Sequence, residues 1–188
     1  MELPNGFASH IESMMRSPLR NYIVPGLSSY LLGGEDKGCV RVFSSKRNQQ
    51  SDISPHSHRF DFVCLVLRGT VRNIIWKPSF DVVHAAEHFA VSNIEYEGEA
   101  GHYKKKIVDR SYWEPRESAY QEGDFYGMSA SQVHSIFFSK DALVLFFEGP
   151  AKTNKSIVLD PVVNDEVIPT SDVQPWMFRK QPLDDHFA

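Results

Sequence analysis

The chain has 188 residues, of which 41% are hydrophobic, 12% aromatic and 23% charged, with a formal net charge of −4. That composition is rich enough for one domain with a sizeable core and too apolar for a disordered chain. The mild negative charge gives no general pull toward nucleic acid or an anionic membrane, and no apolar run reaches the about 18 residues that span a bilayer.

The N-terminal stretch MELPNGFASHIESMM lacks the basic and apolar regions of a secretion signal. Cys39 and Cys64 are the only cysteines. The expectation is a cytoplasmic protein with two reduced thiols rather than a disulfide scaffold. In SHIESMMRSP, Ser9 is the expected helix cap, Glu12 stands three residues on as in a capping box, and Ile11, Met14 and Met15 make an apolar side. Pro18 closes it, and residues 1–27 read as helix and lead-in.

Beyond Pro25-Gly26 the pattern changes to short β-rich runs. SSYLL (28–32) and CVRVF (39–43) flank GGEDKG, a hairpin connection. Its glycines do not make a phosphate loop, because no lysine-serine pair or helix signal follows. FDFVCLVLRG (60–69), TVRNIIW (70–76), VHSIFF (133–138) and ALVLFFEG (142–149) complete a set of Val-, Ile- and Phe-rich strands bounded by turn residues. This is the signature of an all-β barrel or sandwich over residues 28–149. Residues 77–118 are more polar and read as an elaborated insertion on that scaffold, with Lys104–Lys106 at a solvated hairpin tip. The segment 150–188 carries five prolines and two apolar stretches, SIVLDPVV and PWMF. It reads as an extended segment packing on the barrel through Trp176 and Phe178.

Chemistry enters at SPHSHRFDFVCLVLRGTV (54–71). Residues i and i+2 of a strand face one side, so His56 and His58 can aim both imidazoles into one cavity. Phe60, Phe62, Cys64 and Val66 continue that parity as an apolar inner wall. His134, Ile136 and Phe138 share one face of another strand, and a barrel can bring His134 opposite the pair. Three neutral imidazoles would leave open positions on a metal, as a catalytic site needs. The competing reading is three histidines satisfied by water or backbone at a barrel mouth. His84 and His88 have helical spacing and no partner, and read as surface residues; His10, His102 and His186 stand alone.

These residues resemble the two motifs of the cupin superfamily (RmlC-like jelly rolls), G-x5-H-x-H-x3/4-E-x6-G and G-x5-P-x-G-x2-H-x3-N. His56 and His58 match the histidine pair, and Gly69 the closing glycine seven positions after Phe62. Gly123 and His134 keep the eleven-position interval of the second motif. Phe62 stands in the place of the glutamate, Ser129 and Ser131 in those of Pro and Gly, Phe138 in that of Asn, and Gln50 in that of the opening Gly. Asp61, one residue from the glutamate position, points by parity to the other face and reaches a metal only through a bulge.

The resemblance implies a cupin-type double-stranded β-helix, a jelly-roll barrel, with a divalent metal: Fe(II) is favoured, and Zn, Ni or Mn are the other candidates. Three-histidine cupin sites are similar to those of thiol dioxygenases. However, Cys64 lies two positions closer to the glycine than the cross-link cysteine of the animal enzymes, and no Ser-His-Tyr relay follows His134. HSHRFDF and PWMF also resemble uncharacterised cupins of bacterial and phage genomes. The implied function is a metal-binding cupin acting as a dioxygenase-like enzyme on a small molecule, with a non-enzymatic sugar- or nucleotide-binding cupin as the alternative. Arg41 and Tyr126 are the candidates to hold a substrate's carboxylate or oxygen. For Arg41 the competing reading is a salt bridge on an edge strand, and for Tyr126 a place in the core. The expected partners are a small-molecule ligand and, through edge strands and tail, a second copy of the chain.

Overall fold

A computed structural model describes residues 2–16, 18–20, 25–35, 38–48, 54–79, 86–96 and 103–168. The expected Trp176 and Phe178 anchors, Gln50, His84, His102 and His186 lie outside the described residues. The elements are a helix α1 (Phe7–Met14) and the strands β1 (Leu19–Arg20), β2 (Leu27–Glu35), β3 (Gly38–Ser45), β4 (Phe60–Arg68), β5 (Thr70–Ser79) and β6 (Glu87–Tyr96). After these come β7 (Tyr103–Gln121), β8 (Phe125–Met128), β9 (Val133–Phe138), β10 (Leu143–Ala151), β11 (Lys155–Val163) and β12 (Glu166–Val167).

They form two antiparallel sheets, in the orders β1-β2-β3-β10-β4-β8 and β12-β11-β6-β7-β5-β9. The strand alternation read from the sequence decides what faces what. Phe62, Cys64 and Val66 on β4, Val144 and Phe146 on β10, and Tyr126 and Met128 on β8 meet Val71 on β5 and Phe138 on β9 in one core between the sheets. Phe43, Phe60, Ile75 and Ile136 pack against it. On the opposite face of the first sheet, Val42, Leu67, Leu143 and Leu145 take Ile11 of the helix. The two sheets with the core between them are the all-β barrel or sandwich, of jelly-roll type, expected from the strand pattern.

The other face of the second sheet carries its own cluster. Trp76 on β5, Phe89 and Val91 on β6, Trp113 on β7, Val133 on β9 and Leu159 on β11 pack together. The sheet can curl around them because residues 55–57 join its β9 edge to β11. His56 exchanges two 2.8 Å backbone hydrogen bonds with His134. On the other side Ser57 N–H donates to Ile157 O (2.8 Å) and Leu159 N–H to Pro55 O (2.9 Å). Short strands with paired edges avoid exposing a row of unmade backbone bonds.

Five expectations are corrected. The helix begins earlier, with Gly6 as N-cap at φ 78° and no side-chain cap; Ser9 lies within it, because the Pro4-Asn5-Gly6 turn already starts the chain winding. Residues 77–118 are no appendage: they hold the end of β5, all of β6 and most of β7, hydrogen-bonded within the second sheet. Their strands were hard to read because residues 104–110 of β7 are exposed on both faces, so no apolar alternation marks them. SIVLDPVV supplies β11, which pairs with β6 from Lys155↔Glu95 to Pro161↔Phe89. His88 sits on β6 rather than a helix, its ring stacked on Tyr112 at 4.7 Å. Lys105, in the basic run, pairs with the buried Asp160 at 2.8 Å. No helix among the described residues is long and apolar enough to cross a membrane.

Candidate metal centre

The three histidines come together. One ring nitrogen from each of His56, His58 and His134 lies within 4.8 Å of the other two, and the Nε2 atoms of His58 and His134 are 2.9 Å apart. Contrary to the expectation from the sequence, His56 and His58 do not lie in a regular strand. They occupy the extended segment before β4, where His56 forms isolated bridges to His134 and Val158. The i, i+2 relation still aims both rings one way, because the segment is extended.

Backbone pairing is what fixes the distance across the site. The same two hydrogen bonds that seam residue 56 to β9 set His56 opposite His134, and their ring centroids are 5.1 Å apart. Motif glycines supply the sharp turns around this frame. Gly69, at φ 79°, would place a Cβ 2.7 Å from Ser139 Oγ and 2.9 Å from Ala142 Cα. Gly123, at φ 86°, turns the chain into β8.

Outer hydrogen bonds fix the tautomers. His134 Nδ1–H donates to Asn73 Oδ1 at 2.7 Å, and His56 Nδ1–H donates to Ser54 O at 2.8 Å. Each leaves Nε2 as the lone-pair nitrogen, the arrangement that orients imidazoles toward a metal. Burial lowers the pKa of His56, and of His58 and His134 further, their neighbouring imidazoles adding to the effect. All three are therefore neutral near pH 7. Ligands about 2.1 Å from one cation and at right angles to each other stand about 3 Å apart, so the His58–His134 separation fits shared ligation. Buried neutral imidazoles with fixed tautomers suit a divalent transition metal.

Around the histidines the wall is aromatic. The Phe62 ring is 4.8 Å from His58 and 5.7 Å from His134. Phe60 is 5.4 Å from His58, and Phe146 is 4.8 Å from Phe62. Cys64, Val66, Ile136 and Phe138 lie in or against the same core, deeper in the barrel. Asp61 takes no part. Its carboxylate accepts from Ala130 N–H at 2.9 Å and from Lys152 Nζ, on the face opposite the histidines, as parity requires.

Arg41 is not on an edge strand, since β3 lies between β2 and β10. It shares the inner face with Phe43 and contacts Glu148, Nε to Oε2 at 3.9 Å. Tyr126 is buried in the core, stacked on Tyr120 at 4.4 Å, with its hydroxyl beside the Cys64 thiol. Burial, followed by the neighbouring Cys64, raises its pKa well above the ordinary phenol value. Burial pushes the Cys64 thiol up to about 12. Both thus keep their protons at neutral pH.

Sequence reasoning missed Asn73 and Glu148. A polar residue at the inward parity of TVRNIIW, between Val71 and Ile75, was the signal for Asn73. Glu148 had the same signal, two positions beyond the inward Phe146.

No protein-family model matches the chain, and no curated protein matches it significantly. Solved structures do. An RmlC-like cupin from Shewanella frigidimarina shares 13% identity over 68% of this chain and 78% of its own, with a TM-score of 0.37. Hydroxypropylphosphonic acid epoxidase from S. wedmorenis shares 13% identity over 71% of this chain and 55% of its own, at 0.42. Drosophila melanogaster CENP-C, in its structure bound to CAL1, shares 10% over 77% and 91%, at 0.45. At such identities the likeness is one of fold. Two antiparallel sheets around a shared core, with a histidine trio brought together from two separated segments, are what this chain's own geometry shows.

Proposed function

We propose that this protein is a metal-dependent oxidoreductase that holds one divalent cation on His56, His58 and His134 and acts with dioxygen on a small molecule in the barrel. Fe(II) is the favoured metal, with Zn, Ni and Mn as the other candidates. The observation that carries the reading is the 2.9 Å approach of two neutral Nε2 atoms, with a third imidazole beside them and its tautomer fixed from behind.

Bound there, iron(II) would supply Lewis acidity and one-electron chemistry. The chain's own residues do the rest. Asn73 and Ser54 hold the imidazole orientations, and Phe60, Phe62 and Phe146 keep water from the reacting centre. Phe62, in place of a carboxylate, leaves the ligand set uncharged, so a cation held there would keep its positive charge for an anionic substrate.

The second reading, a non-enzymatic binding cupin for a sugar or nucleotide, draws on one observation. The protic side chains deep in the barrel, Cys64 and Tyr126, are held in their protonated forms, and neither is a ready base. Elemental analysis of untagged protein beside a His134→Ala variant tests the centre: one metal per chain in the wild type and none in the variant is expected. Equal metal in both rejects it. Oxygen uptake with a panel of small thiols and other reductants then separates the readings, since a binding module consumes none.

A further inference from the structure

Asn73 can meet His134 in two ways. An asparagine amide carries an acceptor oxygen and a donor nitrogen side by side, and turning it over exchanges them. With Oδ1 toward His134, the imidazole holds its proton on Nδ1 and presents a bare Nε2. With Nδ2 toward His134, the proton must sit on Nε2, which then cannot ligate a cation. His134 alone does not decide between the two, since either arrangement gives it one hydrogen bond.

The other tip of the amide settles it. Asn73 Nδ2 donates to the Met128 sulfur at 3.4 Å, while Oδ1 takes His134 Nδ1–H at 2.7 Å. Asn73 and Met128 are both buried. A thioether accepts a hydrogen bond weakly and has no proton to give. The turned amide would set Oδ1 against that sulfur, acceptor facing acceptor, with no donor opposite a buried oxygen. The contact also crosses the interior. Met128 stands on β8 of the first sheet, paired with Phe62, and Asn73 on β5 of the second, paired with Ile136. No backbone pairing joins β8 to β5 among the described residues, so side chains alone make this link. Its effect reaches His58, whose Nε2 lies 2.9 Å from that of His134. With His134 protonated on Nδ1, His58 is the donor of that pair in metal-free protein.

We propose that Met128 is a positioning residue of the histidine centre: its acceptor-only sulfur fixes the sense of the Asn73 amide, and the amide in turn keeps His134 Nε2 open. The inference rests on the three-histidine reading and adds the residue that holds one ligand in its binding tautomer before a cation arrives. A leucine at 128 would fill nearly the same space and leave the amide free to turn.

The test is NMR of the metal-free full chain with isotope-labelled histidine, which reads the His134 tautomer, beside zinc affinity measured against a chelator. Wild type is expected with the proton on Nδ1. Met128→Leu should move a measurable share of it to Nε2 and weaken zinc binding by about 3- to 10-fold. Asn73→Asp offers two acceptor oxygens and no donor, so on that background Met128→Leu should change neither reading. A residue that only fills the core would weaken binding on both backgrounds alike. That outcome overturns the proposal, as does a wild-type His134 protonated on Nε2 or a Met128→Leu variant with the wild-type tautomer. Should the Leu variant not fold, the wild-type Asn73 amide protons decide. Their Overhauser contacts are expected to the Met128 methyl, and contacts to the His134 ring in its place overturn the proposal. A His134 held by Met128 in a protein that takes up no metal would sink the metal reading and leave this role standing; metal uptake with His134 indifferent to residue 128 would do the reverse.

Discussion

The second sheet separates two apolar interiors, and strand β5 supplies both. Val71, Asn73 and Ile75 face the first interior, between the sheets, while Ile74 and Trp76 face the second. In the second, the indole N–H groups are satisfied: Trp76 donates to Ser135 Oγ at 3.0 Å and Trp113 to Ser111 Oγ at 3.1 Å. In the first, the Arg41 Nη1 has no such partner among the described residues, the Tyr126 hydroxyl has only the Cys64 thiol beside it, and three histidines converge. One interior is finished as a core; the other keeps polar groups facing inward at an energetic cost. The difference teaches where function resides, because a fold retains such groups only where something else compensates for them.

The comparison can be broken by exchanging damage between the two interiors. Phe89 is 1% exposed in the finished core, and Phe89→Ala is expected to cost about 3–5 kcal/mol of stability by urea denaturation. Folded Phe89→Ala protein should still bind metal at wild-type stoichiometry. A loss of metal there would mean that the two interiors are not separate.

Asn73→Ala strikes the other interior. It removes the acceptor of His134 Nδ1–H, so metal affinity should fall by about 10- to 100-fold in competition with a chelator. Unchanged affinity would show that backbone pairing alone orients His134.

Acid sharpens the contrast further. Burial lowers the pKa of all three histidines from 6.5, so below about pH 6.5 the unfolded chain takes up protons that the folded one resists. The stability of metal-free protein should therefore be fully present above that pH. It should fall on acidification by up to about 1.4 kcal/mol per pH unit for each histidine. Denaturation curves at pH 7.5, 6.5 and 5.5, expected flatter for His58→Gln, check the sign.

The smallest effect is expected at Asp61. Its carboxylate, paired with Lys152 and Ala130 N–H, lies off the site. Asp61→Asn should leave both the metal content and its competition profile with a chelator unchanged, and a drop in either would return Asp61 to the ligand set.

Much of this was legible in the chain. FDFVCLVLRG and VHSIFF alternate or run apolar strongly enough to mark β4 and β9, and two-residue periodicity alone put His56 and His58 on one side and Asp61 on the other. Residues 104–110 hid the first half of β7, because a strand with both faces in water keeps only its backbone pairing, which composition does not record. Arg41 was legible as a charge on an apolar strand, yet a short strand read alone does not say whether it lies at an edge or in the middle.

The sequence by itself determined the strand periodicities, the glycine turns and the identity of the three imidazoles, all of which depend on neighbours a few residues apart. Only the tertiary structure decided that residues 55–57 seam β9 to β11, that Asn73 stands behind His134, and that Arg41 shares its face with Glu148. Those are pairings between segments up to 107 residues apart, as from Arg41 to Glu148. Such pairings are set by the cooperative closure of both sheets and by no local preference.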